Sequence, residues 1–135
     1  MSQAAAVHAS LANCATIAVV GLSPKPHRDS FRVAKYMQDH GFRIVPINPN
    51  ASEVLGEKAY ASLTEAAQHK RIDMVNCFRN AEDIPPIAAE AIAIGAKSLW
   101  LQIGVVNDAA AKQATHAGLA VVQNLCLMVE HRQRR

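Results

Sequence analysis

Five short apolar runs, each followed by a stretch of helical spacing or by a turn, constrain this chain more than any other feature. They are TIAVVG (16–21), FRIVPIN (42–48), IDMVNCF (72–78), SLWLQIG (98–104) and LAVVQN (119–124). Each is rich in Val, Ile or Leu without polar alternation, the pattern of a strand buried on both faces. SFRVAKYMQDHG (30–41) carries Phe31, Ala34 and Met37 at helical spacing, with Ser30 or Asp29 expected to cap its start and Gly41 to stop it. Ser62 with Glu65 forms a capping-box pattern, Pro85 and Pro86 suit the first turn of a helix over 81–96, and Asn107 suits the cap of DAAAKQATHAG. Strand and helix alternating in this rhythm predict an α/β fold: a parallel sheet of about five strands with helices on both faces. Right-handed crossovers reduce the topologies to a doubly wound sheet, expected in the order 3-2-1-4-5. The whole of 1–135 reads as one domain, with 1–14 as an N-terminal extension and 127–135 as a solvated tail.

Composition narrows the class. The chain has 135 residues, half of them hydrophobic and 19% charged, enough for one real core in a globular protein. No apolar run approaches the roughly 20 residues that span a bilayer. The N-terminus lacks the basic start and small-residue cleavage site of a signal peptide, so a cytoplasmic protein is expected. Cys14, Cys77 and Cys126 are odd in number and unpaired in spacing, which reads as buried thiols rather than disulfides or a zinc site. A net charge of +3 and only 4% aromatic residues provide no nucleic-acid platform. Lys25, His27, Arg28 and Arg32 cluster locally, and an anionic small molecule accounts for them better than a polymer does.

In doubly wound sheets, ligands bind outside the carboxyl ends of the strands where strand order reverses. GLSPKPHRDS, NPN, FRNAED, QIGVVN and QNLC should converge there. In the first of these, about eight residues separate Gly21 from the helix start, too many for the tight G-x-G-x-x-G turn. Backbone N–H groups, the helix dipole, hydroxyl donors from Ser23 and Ser30, and the charges of Lys25 and Arg28 together suit a diphosphate. An ordinary loop with solvated charges is the plain alternative. An NAD(P)-binding domain or oxidoreductase component is a further alternative, but it calls for three glycines and an acid ending strand two, where this chain has INPN. The six histidines lack metal-ligand spacing, and Cys126 has no partner assignable from sequence, so no catalytic set is expected.

The stretches VVGLSPKPHRDSFRVAKYM, PINPNASEVLGEKAYASL, AIAIGAKSLWLQIGVVN and the final Cys126 with EHR resemble the small stand-alone CoA-binding domain family. That family is related to the N-terminal domain of the succinyl-CoA synthetase alpha subunit, and the resemblance runs from about residue 15 to 132. It implies a Rossmann-like sheet with CoA across its carboxyl edge. Gly21, Ser23, Pro24, Lys25 and Arg28 would then follow the diphosphate and ADP, with Asn48 and Pro49 beside the nucleotide. Phe78 and Arg79 would close the third-strand side. Gln102, Ile103 and Gly104 would approach the pantetheine arm, and Asn124 and Cys126 would stand in the last loop. Asn76 replaces an acidic residue expected in strand three, and QNLC replaces something like MDRC. The phosphorylated histidine of the synthetase belongs to a second domain, so the resemblance implies CoA or acyl-CoA binding without catalysis of its own. An acyl-CoA enzyme using Cys126 or His131, or an interaction domain that has lost its ligand, are the remaining readings. A monomer or homodimer is expected, with a protein partner open and no membrane partner.

Overall fold

Burial on both faces is what makes the apolar runs strands. The computed structural model describes residues 1–135, and in it β1 (Thr16–Val20), β2 (Arg43–Ile47), β5 (Met74–Cys77), β6 (Ser98–Leu101) and β7 (Ala120–Val122) form one parallel sheet. β1 lies in register with β2 from Thr16↔Arg43 to Val20↔Ile47, and with β5 from Ile17↔Met74 to Val20↔Cys77. A β-hairpin that the apolar pattern does not announce, β3 (Glu53–Val54) and β4 (Glu57–Lys58), follows β2. It turns on Leu55 and Gly56, both at positive φ, as the primed hairpin turns require.

Six helices cover the sheet. α1 (Gln3–Asn13), α2 (Asp29–Asp39) and α6 (Leu127–Arg134) pack on one face; α3 (Leu63–Ala67), α4 (Ile84–Ala93) and α5 (Asp108–His116) pack on the other. Side chains alternate between the two cores along each strand: Ile17, Val19, Met74 and Trp100 meet α1, α2 and α6, while Ala18, Val75, Cys77, Leu99 and Leu101 meet α3, α4 and α5. Ser62 and Asn107 accept hydrogen bonds from Glu65 N and Ala110 N, as expected of N-caps, and proline occupies the first turn of α4.

The order along the sheet is β2-β1-β5-β6-β7. Counting sheet strands along the chain this is 2-1-3-4-5, which corrects the expected 3-2-1-4-5. The reason is the face on which each crossover lies. Val33, Ala34 and Met37 of α2 bury into one core, whereas Leu63 and Ala66 of α3 bury into the opposite core. Two right-handed crossovers on opposite faces travel in opposite directions, so the third sheet strand returns past β1 instead of extending beyond β2. Both terminal segments also differ from their expectation. Residues of the extension form α1, capped by Ser2, with Ala6, Val7 and Ser10 buried; the tail forms α6, with Leu127 buried. No helix is long and apolar enough to cross a membrane.

Candidate functional site

Strand order reverses between β1 and β5, and the chain is tightest there. Gly21 follows β1 at φ +85°, and a Cβ on it would lie 2.5 Å from the Phe78 carbonyl oxygen at the end of β5. Gly21 N donates to Ile47 O at 3.0 Å, and Phe78 N donates to Val20 O at 2.9 Å. The ends of β1, β2 and β5 are thus drawn into one ridge in which any side chain at position 21 collides with backbone. This is the one place in the first loop where glycine is obligatory.

Beyond Gly21 the loop is braced by its own hydroxyls. Ser30 Oγ, buried in the first turn of α2, accepts from Ser23 N at 3.0 Å; Ser23 Oγ accepts from Lys25 N at 3.1 Å. Ser30 therefore holds the loop against the helix, and neither Ser30 nor Asp29 caps α2, whose N-cap is Arg28 without a side-chain bond. Each serine oxygen thus accepts from a loop N–H, which leaves its hydroxyl proton available to donate. Asn48 extends the brace, donating from Nδ2 to Leu22 O at 3.0 Å and accepting from Asn50 N at 2.8 Å. The residue ending β2 is therefore a structural amide and not a carboxylate. Pro24, Lys25, Arg28 and Pro49 are exposed on this edge. The opening N–H groups of α2, which a helix leaves without internal partners, add the positive end of its dipole. Arg32 is not free: it donates to His27 O at 2.6 Å and pairs with Asp29.

Two cavities flank the ridge, one on each face. The first, of about 270 Å³, lies between the first turns of α2 and α6 and is lined by Asp29, Arg32, Val33, Phe78, Gln102, Ile103, Cys126, Met128 and Val129. Gln102 is 6% exposed, and its Oε1 accepts from Leu127 N at 3.0 Å, fixing which end of the amide is oxygen. Its Nε2 is left as a donor on the cavity side. Ile103 is 69% exposed at the rim. The second cavity, of about 280 Å³, is lined by Val20, Ile47, Ser62, Leu63 and Ile87 together with Arg79, Glu82, Asp83 and Glu90. Arg79 pairs with Asp83 at 3.5 Å, and Glu90 accepts from Thr64 N and Oγ1. Gly104 N donates to Asn124 Oδ1 at 2.7 Å, with both residues at positive φ, which ties the loops after β6 and β7 together.

The structure thus gathers Gly21, Phe78 and Arg79 at the ridge, Phe78, Gln102, Ile103 and Cys126 in one cavity, and Ser23, Ser30 and Asn48 in the brace beneath the loop. Pro49, Gly104 and Asn124 stand on the same edge without lining either cavity. Sequence reasoning missed Val33, Met128 and Val129. The signal was present in CLMVEHR, which has helical character that a reading as solvated tail discards. Asn76 is fully buried on β5 with neither side-chain atom hydrogen-bonded. It faces the same core as Phe78 two residues on, and contributes no charge. Burial pushes the thiol of Cys77 up to about 12; burial, with the nearby Asp73 carboxylate, does the same for Cys14. Neither is a nucleophile at neutral pH. No three His, Cys, Asp or Glu side chains are grouped to hold a metal.

The pattern of a family described as "CoA binding domain" matches residues 15–132. YneT, an uncharacterized protein of Bacillus subtilis (strain 168), is 44% identical over 115 residues, covering 85% of this chain and 84% of that protein. A solved structure of a hypothetical protein from Pyrococcus horikoshii OT3 superposes with a TM-score of 0.89 at 36% identity, covering 98% of this chain and 92% of that one. Acetate–CoA ligase [ADP-forming] II of Archaeoglobus fulgidus is 30% identical over 84 residues, which is 61% of this chain but only 12% of the ligase.

Proposed function

The chain belongs to the family of CoA-binding domains, and from that premise we propose that it holds CoA or acyl-CoA across the carboxyl edge of its sheet without turnover of its own. The observation that carries the placement is the ridge: Gly21 stands where a Cβ would meet Phe78 O at 2.5 Å, with a cavity on either side. A long ligand with a charged middle suits that arrangement. The diphosphate lies over the ridge, against Lys25, Arg28 and the N-terminus of α2, where charge-assisted bonds and the dipole act together. The pantetheine arm lies in the cavity of Phe78, Ile103, Met128 and Val129, and the Gln102 Nε2 donates to one of its amide carbonyls. The adenine lies in the opposite cavity, where Glu82, Asp83 and Glu90 accept from its amine or from the ribose 2′-hydroxyl, while the ribose 3′-phosphate of CoA points away from those carboxylates toward solvent and the basic loop. Asn48, Ser23 and Ser30 act through the loop they brace.

The lining of the pantetheine cavity supports the reading without turnover. Cys126 lines the pantetheine cavity, but the hydrogen-bond partners of nearby polar groups are structural, and no histidine lines that cavity. Isothermal titration with CoA tests the reading. Heat at micromolar to millimolar CoA is expected, and the double variant Lys25→Ala, Arg28→Ala should weaken it by roughly tenfold or more, since each lost charge-assisted contact is worth about 1.5–3 kcal/mol before solvent screening. Saturable binding of NAD at the same site, with none of CoA, overturns it.

A further inference from the structure

The two helices whose first turns wall the pantetheine cavity, α2 and α6, are joined at their other ends by a cluster of histidines that the site itself does not use. Tyr36 Oη lies 2.9 Å from Nδ1 of His131, linking the last turns of α2 and α6. His40 stacks on Tyr36 with ring centroids 4.0 Å apart, and its ring is 5.4 Å from that of His131. Phe42 meets His131 edge-on at 5.5 Å. His40 Nδ1 lies 2.7 Å from Tyr36 O, a carbonyl that can only accept, so the ring proton sits on Nδ1. Nε2 then carries the lone pair and takes the Arg135 guanidinium at 3.3 Å. The packing thus leaves His40 Nε2 as an acceptor, while Tyr36 Oη can donate to or accept from His131 Nδ1.

We propose that this cluster is a pH-sensitive clamp on the ligand cleft: protonation of His131 releases the last turns of α2 and α6 from each other and loosens the cavity wall made by Cys126, Met128 and Val129. An imidazolium at His131 stands 5.4 Å from the His40 ring, which holds the Arg135 guanidinium, so its charge is repelled there. The groups around the pair do not offset that charge. His8 of α1 shares a cavity with His131, Arg134 and Arg135; Glu130 is bound to Arg134 at 3.0 Å, and Asp39 of α2 is bound to Lys35 at 3.0 Å. Burial, with the charges of His40 and Arg135, holds His131 below the ordinary histidine range. A group depressed in the folded state contributes stability that is complete above its unfolded pKa of about 6.5 and is lost as pH falls below it. Acid is therefore the releasing direction.

Hydrogen exchange of the intact protein, corrected for the intrinsic pH dependence, tests the clamp without any ligand. Between about pH 8 and pH 5.5, protection over 127–134 should fall roughly tenfold more than protection of β5 and β6. The variant His40→Gln, His131→Gln should keep α6 protection level over the same range. Equal loss in α6 and in the strands, or the same extra loss in the variant, overturns the proposal. Should the variant fail to fold, ring titration of the native protein by NMR decides. His131 titrating together with α6 amides supports the clamp, and titration at the ordinary value with those amides unmoved overturns it. Its consequence for ligand rests on the CoA reading: CoA should bind at least threefold more weakly in acid to the native protein than to the variant. A protein that binds no CoA at either pH defeats that reading while leaving the exchange result to judge the clamp.

Discussion

Gly21 shows how much a single missing Cβ decides. Its backbone stands at φ +85° against the Phe78 carbonyl, so Gly21→Ala must both strain the residue and push two strand ends apart. A left-handed conformation alone costs about 1–3 kcal/mol in a non-glycine residue. The variant should therefore melt several degrees lower, and CoA titration should show binding lost beyond what the melt explains, because the ridge itself has moved. Asn76 is the opposite case, a residue present where the fold does not need it. Its amide is wholly buried between Val19 and Trp100 with no partner for either polar atom, and an unpaired buried group costs about 1–3 kcal/mol. Asn76→Leu removes that cost while keeping the branching at Cγ, with a larger side chain for the core to accommodate. A higher melting temperature is expected from calorimetry, and a lower one would reveal that the amide holds an internal water. The importance of Gly21 could be read from its place after an apolar run. The destinations of Ser23 and Ser30 could not, since a hydroxyl in a loop serves a ligand or its own backbone equally well until the loop has closed.

Among the elements, the sheet is stitched at its amino edge by one carboxylate. Asp73 Oδ2 accepts from Ala15 N at 2.9 Å and from Thr16 N at 3.0 Å, while its carbonyl accepts from Lys97 N and Ser98 N, so β1, β5 and β6 start from a common residue. Burial acts to raise its pKa, but the two backbone bonds and the charges of Lys97 and Arg71 outweigh it and hold the group below its ordinary value. A depressed carboxylate contributes stability that is present above its unfolded pKa and disappears as pH falls through the folded one. Asp73→Asn should therefore cost about 1.5–3 kcal/mol in urea denaturation at neutral pH, the worth of bonds to a charged acceptor. The native protein and the variant should converge as pH falls below the ordinary aspartate range. The five sheet strands were legible because buried parallel strands are continuous apolar runs. The β3–β4 hairpin was not, because two-residue strands leave no period to detect. Nor was the strand order, because the periodicity of α3 tells that one side is apolar but not which face of the sheet that side meets. α6 went unread for a related reason: Leu127 is its only wholly buried residue, and its other positions look like a charged end.

For the molecule as a whole, the reversal of strand order converts a local loop into a site with two sides. A crossover on the α2 face and a return on the α3 face leave one cavity against α2 and α6 and another against α3 and α4, with the Gly21–Phe78 ridge between them. The walls differ in character to match. One side presents Phe78, Ile103, Met128 and Val129 with the Gln102 amide and the paired Asp29 and Arg32; the other presents three carboxylates and Arg79. Had the order been 3-2-1-4-5, the third strand would lie beyond β2 and could not place Phe78 against Gly21. The two halves of CoA should then be separable ligands. The nucleotide half and free pantetheine, each added to the protein alone, should bind more weakly than CoA, because linking two fragments makes the second contact intramolecular. Added together they should bind at once, each leaving the affinity of the other within about twofold, since the ridge keeps their cavities apart. Intact CoA should displace both. Titration calorimetry of one half in the presence of saturating amounts of the other makes the comparison directly. Mutual exclusion of the halves would mean that one cavity serves the whole ligand and that the second faces something else.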